Sequence, residues 1–249
     1  MDLDRITHPL RLAKGSHRPG SGKGCAMNAI SYIGGDTQIT DFPATSARPL
    51  AAFVQRCNDL LAGADGDLSP ENSVLALELG WQTVGTAEVP DNVIHAWVAE
   101  LLTSPAWGVV QYAENAAAEA IFDIAHLHRT LASGAMPAIP AWYSADCAAR
   151  AVCVTLAGAG LYAVRAAYQS TALVDTEQCE TLDAVTGNAL RAHELATEST
   201  GAARIVEVTR QAIRSWRHLT QLDDPGHVEA ASVDNAFDTK EYRFKRRDR

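Results

Sequence analysis

Most of this chain consists of alanine-rich segments in which apolar residues recur every three or four positions and which end at glycine or proline. This spacing is typical of amphipathic helices, because it places the apolar residues on one face. Ile121, Ile124 and Leu127 show it within a predicted helix over residues 109–132. The pattern predicts an all-α fold, an irregular helical bundle of about eight helices with at most one small β element near residues 36–42.

Local signals set the expected ends of several helices. A first short helix over residues 25–33 should end at Gly35, because glycine readily takes the left-handed conformation of a helix C-cap. Pro49 suits the first position of a second helix, since proline has no N–H to leave unpaired there. Ser69 and Asp91 have side chains that can cap the next two helices, so both are predicted N-caps.

Longer helices are predicted over residues 109–132, 144–168, 175–198 and 202–222. Gly158 and Gly160 lie inside the second of these, and each costs about 1 kcal/mol of helix stability relative to alanine. They indicate a tight helix crossing or a break. Because alanine buries little area, most of the bulk of the core should come from the tryptophans, whose indole N–H groups need acceptors when buried. These are Trp81, Trp97, Trp107, Trp142 and Trp216.

The expected organisation has three parts. Residues 1–24, rich in glycine and charge, read as an extended arm. Residues 25–222 read as a single helical domain, with a motif-bearing part over 25–64 and alanine-rich helices over 69–222. Residues 223–249 read as a partly disordered tail that is basic at its end.

Charge limits the classes of partner. The net charge is −9, and residues 240–249 carry +4, so the other 239 residues carry −13. An acidic body disfavours nucleic-acid binding except through that basic end, which can equally be a solvated terminus. No apolar run reaches membrane-spanning length, and the five cysteines show neither a CxxC pair nor a disulfide pattern. A cytoplasmic protein without membrane contact is expected.

Residues 22–43, GKGCAMNAISYIGGDTQITDFP, contain the most specific candidate site residue, Cys25. The thiol follows Lys23 and begins a predicted helix, where the helix dipole and the ammonium would lower the pKa of a cysteine. This is the placement of a nucleophile in cysteine-dependent hydrolases. Candidate bases are His193, His218 and His227, with Asp234 or Asn235 to orient the base. The alternative is a small buried cysteine that packs beside Met27 and Ile30.

Four further residues of the stretch are candidate binding residues: Met27, Asn28, Tyr32 and Asp41. Asn28 is a polar amide in an apolar helix, and Asp41 precedes Phe42-Pro43 in a predicted turn. Structural capping also accounts for both, because aspartate and asparagine bond readily to nearby backbone N–H groups.

His126 and His128 lie on the predicted helix over 109–132, where His126 shares a face with Glu119 and Asp123. A carboxylate-bridged metal centre would need a second such set from a facing helix. None is evident around His193, and charged neighbours at these spacings are common on solvated helix faces. The sequence therefore predicts no metal and no cofactor.

The segment over residues 25–59 resembles alanine-rich helical proteins of actinobacteria and their phages, for which no activity is established. Those proteins have a Cys-x-Met-Glu-Ala helix that ends in an aromatic residue and glycine, a Ser/Thr-Asp-x-Pro turn and a helix that closes near Asn-Asp. The matching residues are Cys25, Met27, Ala29, Tyr32, Gly35, Thr40, Asp41, Pro43, Pro49, Phe53, Asn58 and Asp59. This chain has Asn28 where those proteins usually have an acid. The resemblance implies a helical fold and a phage or prophage link.

These features favour a non-enzymatic protein that binds another protein in an accessory or regulatory role. A cysteine-dependent hydrolase or transferase with Cys25 as its nucleophile is the alternative.

Overall fold

The structure, a computed structural model, describes residues 11–15, 17, 21–174, 178–196 and 201–222. Within these residues nine α-helices follow one another: α1 (Ala26–Gly34), α2 (Arg48–Leu61), α3 (Pro70–Gln82), α4 (Asp91–Thr103), α5 (Asn115–Ala132), α6 (Ile139–Cys153), α7 (Gly158–Ser170), α8 (Gln178–Ala196) and α9 (Gly201–Leu219). Two short 3₁₀ helices lie at Val109–Tyr112 and Thr171–Val174. The all-α prediction is confirmed. None of the helices in the described ranges is long and apolar enough to cross a lipid bilayer.

Several local signals mark helix ends as predicted. Gly35 caps α1 with a φ of 84° and donates to the carbonyls of Ser31 and Tyr32. The Ser69 hydroxyl accepts from Asn72 N–H at 3.2 Å at the start of α3. Pro49 lies in the first turn of α2 but is its second residue rather than the predicted first, because Arg48 begins the helix. The prediction for Asp91 is wrong by one residue, because Pro90 is the N-cap and Asp91 already belongs to the first turn of α4.

Two predicted long helices are each broken. Residues 109–112 form a 3₁₀ helix, and α5 begins only at Asn115, which has a φ of 48°. Residues 144–168 divide into α6 and α7, and Gly158 begins α7 with a φ of 57°. Gly160 then passes close to the 3₁₀ helix, since a Cβ there would lie 3.0 Å from Tyr112 O. The two glycines thus allow both a break and a close crossing.

The β structure is not where the sequence suggested. The two strands β1 (Arg11–Leu12) and β2 (Lys23–Gly24) pair in parallel, and residues 36–42 contain no strand. Side chains hold that segment instead: the Ser31 hydroxyl donates to Asp36 at 2.7 Å and accepts from Thr40 N–H at 3.1 Å. The described part of the arm is attached to the body, because Leu68 N–H donates to Leu12 O at 2.9 Å.

Tryptophans form the centre of the core. Trp97 of α4 lies 6.2 Å from the Phe53 ring of α2, 5.2 Å from the Trp216 ring of α9 and 5.8 Å from the Trp107 ring. Its indole donates to Ala212 O at 3.0 Å, and the Trp216 indole donates to Thr86 O at 3.2 Å. Large rings thus pack together helices that are distant in the sequence. They supply apolar area that the alanines of these helices do not, because an alanine buries little area.

Candidate functional site

The start of α1 is held by a network of buried polar groups. Asn28 accepts from Cys25 N–H at 2.9 Å and donates through its amide to Asp41 Oδ1 at 2.8 Å. Asn58 of α2 accepts from Ala26 N–H at 3.1 Å and donates to Ala13 O at 2.9 Å. Each polar group in this network therefore has a partner, and together they join the arm, α1, α2 and the turn that contains Asp41.

This geometry explains the amide at position 28. A carboxylate there would face the Asp41 carboxylate across a 2.8 Å contact and would repel it. An amide instead accepts from one backbone group and donates to the carboxylate, which is the pairing that Asn28 makes. Asn28 and Asp41 thus act on one another in a structural contact.

The expected low pKa of Cys25 is wrong. The side chain is 3 % exposed, and its Sγ lies 3.4 Å from Asp41 Oδ1. Burial raises the pKa of the Cys25 thiol to about 12, and the neighbouring Asp41 carboxylate adds to the rise. Lys23 does not oppose this effect, because its ammonium binds Asp67 Oδ1 at 2.7 Å. A neutral buried thiol is a poor nucleophile.

The proposed bases for Cys25 have other surroundings. Tyr112 OH lies 2.8 Å from His193 Nδ1, and burial lowers the pKa of His193 to about 3. His218 lines a surface groove together with Arg214 and Arg217. His227, Asp234 and Asn235 lie outside the described residues, as does the basic end at 240–249. A catalytic role for Cys25 and nucleic-acid contact through 240–249 both stay predictions.

Met27 and Tyr32 differ in their surroundings. Met27 is fully buried, and its Sδ would lie 3.5 Å from a Cβ added at Gly80 of α3, so it packs in the α1–α3 contact. Tyr32 is half-buried near the end of α1. Ligand contact by either residue, or by Asn28 or Asp41, stays a prediction.

An apolar groove between α1 and α3 is a surface that the sequence analysis missed. It has a volume of about 430 Å³ and is lined by Ile30, Ile33, Val74, Leu77, Glu78, Trp81 and Gln82. Val74 is 67 % exposed and Trp81 is 45 % exposed. The side chains of Val74, Leu77 and Trp81 lie at helical spacings on one face of α3. On this face Leu77 is partly buried, whereas Val74 and Trp81 are exposed.

The sequence of α3 held a signal for this groove. Its segment SVLALELGW has apolar residues on every side of the helix rather than along one stripe. Because one side packs on the core through Ala76 and Leu79, the apolar residues on the other side are left over. A surface helix that is apolar all round indicates a second packing partner.

A buried pair of histidines joins three helices. His95 Nδ1 of α4 lies 2.9 Å from His128 Nδ1 of α5, and His128 Nε2 lies 2.8 Å from the Ser170 hydroxyl of α7. That hydroxyl also lies 2.7 Å from Ala167 O. Two oxygens so close need a proton between them, so Ser170 donates to Ala167 O and accepts from His128 Nε2–H.

The direction of the hydrogen bond between His95 and His128 follows from the direction of the bond between His128 and Ser170. With its proton on Nε2, His128 accepts at Nδ1 from His95 Nδ1–H. His128 is fully buried, and a second proton on its ring would point at the His95 donor. Burial and His95 together therefore lower the pKa of His128 well below its usual value. His126, two residues away, is exposed. Within the described ranges, no three His, Cys, Asp or Glu side chains are grouped closely enough to hold a metal ion.

Comparison with known proteins adds no relative. No family model matches the chain, and neither a curated protein nor a solved structure is similar to it.

Proposed function

We propose that this chain works by binding another protein, in an accessory or regulatory role without catalysis, and that the groove between α1 and α3 is its binding surface. The observation that carries the proposal is the exposure of two apolar side chains, Val74 and Trp81, in a groove whose lining is mostly apolar. Contiguous apolar surface of this kind marks interaction sites, and tryptophan is prominent among the residues that dominate binding energy.

The shape and charge of the groove favour one class of partner. Two helices that lie side by side offer a furrow into which a third, amphipathic helix can place apolar side chains at positions i, i+3, i+4 and i+7. Glu78 lies in the lining, and the chain outside residues 240–249 carries a net charge of −13. An acidic protein attracts a basic partner and repels an acidic one. We therefore propose an amphipathic helix with basic flanking residues as the ligand.

A cytoplasmic location fits this role. The cysteines described in the structure, Cys25, Cys57, Cys147 and Cys153, are all thiols. Such thiols persist in a reducing compartment. The resemblance to proteins of actinobacteria and their phages is a hypothesis about origin, and the binding function does not depend on it.

A synthetic 18-residue amphipathic peptide of leucine and lysine tests the proposal, with Trp81 fluorescence as the readout. Trp81 emission should shift to the blue on binding, because the exposed indole leaves water. Val74→Asp should weaken binding at least tenfold, since it puts a charge in the apolar groove. Val154→Asp is the matched control, because Val154 is also exposed and lies outside the groove.

Three results would overturn the proposal. Equal binding by the wild type and Val74→Asp would show that the peptide does not use the groove. No binding of the leucine–lysine peptide, or equal binding of a leucine–glutamate peptide of the same pattern, would contradict the basic amphipathic helix as the ligand. Trp81→Phe should remove the fluorescence shift, and titration calorimetry should still detect peptide binding by this variant, because phenylalanine keeps an apolar ring in the groove.

A further inference from the structure

Few residues of helix α6 are buried. Only Trp142 and Ala149 of its 15 residues are buried. By contrast, Ile139 is 79 % exposed, Tyr143 is 72 % exposed and Val154, directly after the helix, is 84 % exposed. A surface helix normally turns its apolar side chains toward the core and its polar ones toward water. The packing of α6 on its own chain therefore does not account for its exposed apolar residues.

The outward face of α6 carries a single charged side chain. Its exposed residues are Ile139, Pro140, Tyr143, Ser144, Cys147, Ala148, Arg150 and Ala151. Arg150 is the one charged residue among them, and it turns back to its own chain. Its Nε binds Asp146 Oδ2 at 2.7 Å, and its guanidinium lies 4.3 Å from the centre of the Tyr168 ring. What remains is an uncharged face of apolar and small side chains.

The order of these residues along α6 is self-complementary. The bulky side chains, Ile139 and Tyr143, lie before Cys147, and small ones, Ala148 and Ala151, lie after it. Tyr143 and Ala151 are each four residues from Cys147, so both share its side of the helix. In an antiparallel pair of such helices, the bulky half of one lies against the small half of the other.

We propose that α6 is a self-association surface: α6 of one copy packs antiparallel against α6 of a second copy, across a two-fold axis near Cys147. Tyr143 of one copy lies over Ala151 of the second copy, and Ile139 lies near the second copy's Val154. The same patch on both copies makes a closed two-fold dimer, the commonest symmetric assembly. This surface is separate from the α1–α3 groove and does not depend on the function proposed for it.

Charge favours a second copy at this face. Two copies each carry a net charge of −9 and repel one another over most of their surface. The uncharged face of α6 is where two such bodies can approach without placing like charges in contact. The dimer should therefore strengthen with added salt, because salt screens the repulsion between the two bodies. The contact is also small, since a 15-residue helix is about 22 Å long, so the dimer should be weak and should form only at high protein concentration.

Sedimentation of the full chain from 1 to about 500 µM tests the dimer, with the concentration range chosen around the affinity expected from interface size. The wild type should shift from monomer to dimer, and Tyr143→Glu should weaken the dimer at least tenfold by placing two like charges in the contact. Val74→Glu, an equally polar change at an exposed position of α3, should dimerise like the wild type. Unchanged tryptophan fluorescence should show that both variants fold.

Oxidation of the dimer with diamide tests the position of the two-fold axis. Facing Cys147 residues on helices packed 8 to 10 Å apart would have Cα atoms about 4 to 5 Å apart, which a disulfide can span. Diamide accepts the two electrons and two protons that the thiols release. Peptide mapping should find a Cys147–Cys147 bond that is absent in Cys147→Ser.

Two results would overturn the self-association. One is a chain that stays monomeric at about 500 µM, a concentration at which an interface of this size should form. The other is dimerisation that Tyr143→Glu leaves unchanged. A disulfide that forms preferentially through Cys153 would overturn the two-fold axis near Cys147.

Discussion

Acid should destabilise this protein through its buried histidines. His128 is fully buried, and burial lowers its pKa well below the usual value, while burial lowers the pKa of His193 from 6.5 to about 3. In the unfolded chain both rings regain a pKa near 6.5. Below pH 6.5 the unfolded state therefore binds protons that the folded state does not bind. The stability is fully present above pH 6.5 and falls as the pH falls toward the folded pKa values.

The magnitude follows from the two groups. Each histidine should contribute a slope of about 1.4 kcal/mol per pH unit below 6.5, so the two together remove about 4 kcal/mol between pH 6.5 and 5. This is a large part of the 5 to 15 kcal/mol that usually stabilises a domain. Most carboxylates titrate below this range and add little to the slope above pH 5.

Urea unfolding followed by tryptophan fluorescence at pH 5, 6, 7 and 8 measures the effect. His128→Asn should be less stable than the wild type at pH 8 by about 1 to 3 kcal/mol, because contacts to His95 and Ser170 are lost. Its slope below pH 6.5 should be shallower than that of the wild type, because His128 is gone while His95 and His193, whose pKa values burial also lowers, remain. His126→Asn is the matched control, because His126 is an exposed residue of the same helix.

Two outcomes would refute the reasoning. Unfolding free energy that is constant between pH 6.5 and 5 would mean that the histidines are not held neutral by the fold. A His128→Asn slope equal to that of His126→Asn would mean that His128 does not cause the dependence.

Three further predictions follow from the contacts around α1. Gly80→Val should lower the free energy of unfolding in urea by about 1 to 3 kcal/mol, because a Cβ at position 80 would lie 3.0 Å from Ile30 Cγ1. The control Gly187→Ala in α8 should be neutral or stabilising, because a Cβ there has no atom within 4 Å. Iodoacetamide should label the exposed Cys147 well before Cys25 and Cys57, whose pKa values burial raises to about 12; fast native labelling of Cys25, read by peptide mass spectrometry, would restore the enzyme hypothesis. Asn58→Ala should destabilise the chain by about 2 to 3 kcal/mol, because it leaves Ala26 N–H and Ala13 O without their buried partner, and an unchanged urea midpoint would contradict this.

The helix ends that the sequence predicted correctly or to within one residue depend on residues within one turn of the end. Gly35, Pro49 and Ser69 act through their own backbone or side-chain chemistry, so no distant contact is needed to interpret them. The broken helices are different. Gly158 and Gly160 indicate either a break or a tight crossing, and the presence of both depends on the passage of Gly160 against Tyr112 O, 48 positions earlier in the chain.

Long-range contacts also explain why the candidate surfaces were missed. His95 and His128 are 33 positions apart, and neither has a neighbour in sequence that indicates a buried pair. The α1–α3 groove requires knowing that α1 packs at Gly80 and leaves Val74 and Trp81 uncovered. Sequence periodicity predicts that a helix has an apolar face, whereas only the packing shows which apolar residues are left over.

The histidine pair and the exposed face of α6 are connected through one residue. Trp142, one of the two buried residues of α6, packs edge-on against the His128 ring at 4.9 Å. His95 and Ser170 contact the other sides of that ring. The Asp91 carboxylate partly opposes the lowering of the His95 pKa that burial causes. Protonation of His128 would place two donors together at His95 and disturb the surface on which α6 is attached. Since little else of α6 is buried, α6 should loosen before the rest of the bundle unfolds.

The α6 dimer should therefore weaken in mild acid. Sedimentation at pH 7.5 and 5.5 should show a weaker wild-type dimer at pH 5.5, at a pH where tryptophan fluorescence still reports a folded chain. In His128→Asn the dimer should change little with pH, because the ring whose protonation favours the loosened form of α6 is absent. His218→Asn, at an exposed histidine of α9, should behave like the wild type. Equal pH dependence in wild type and His128→Asn would show that the histidine pair and the α6 surface are independent of one another.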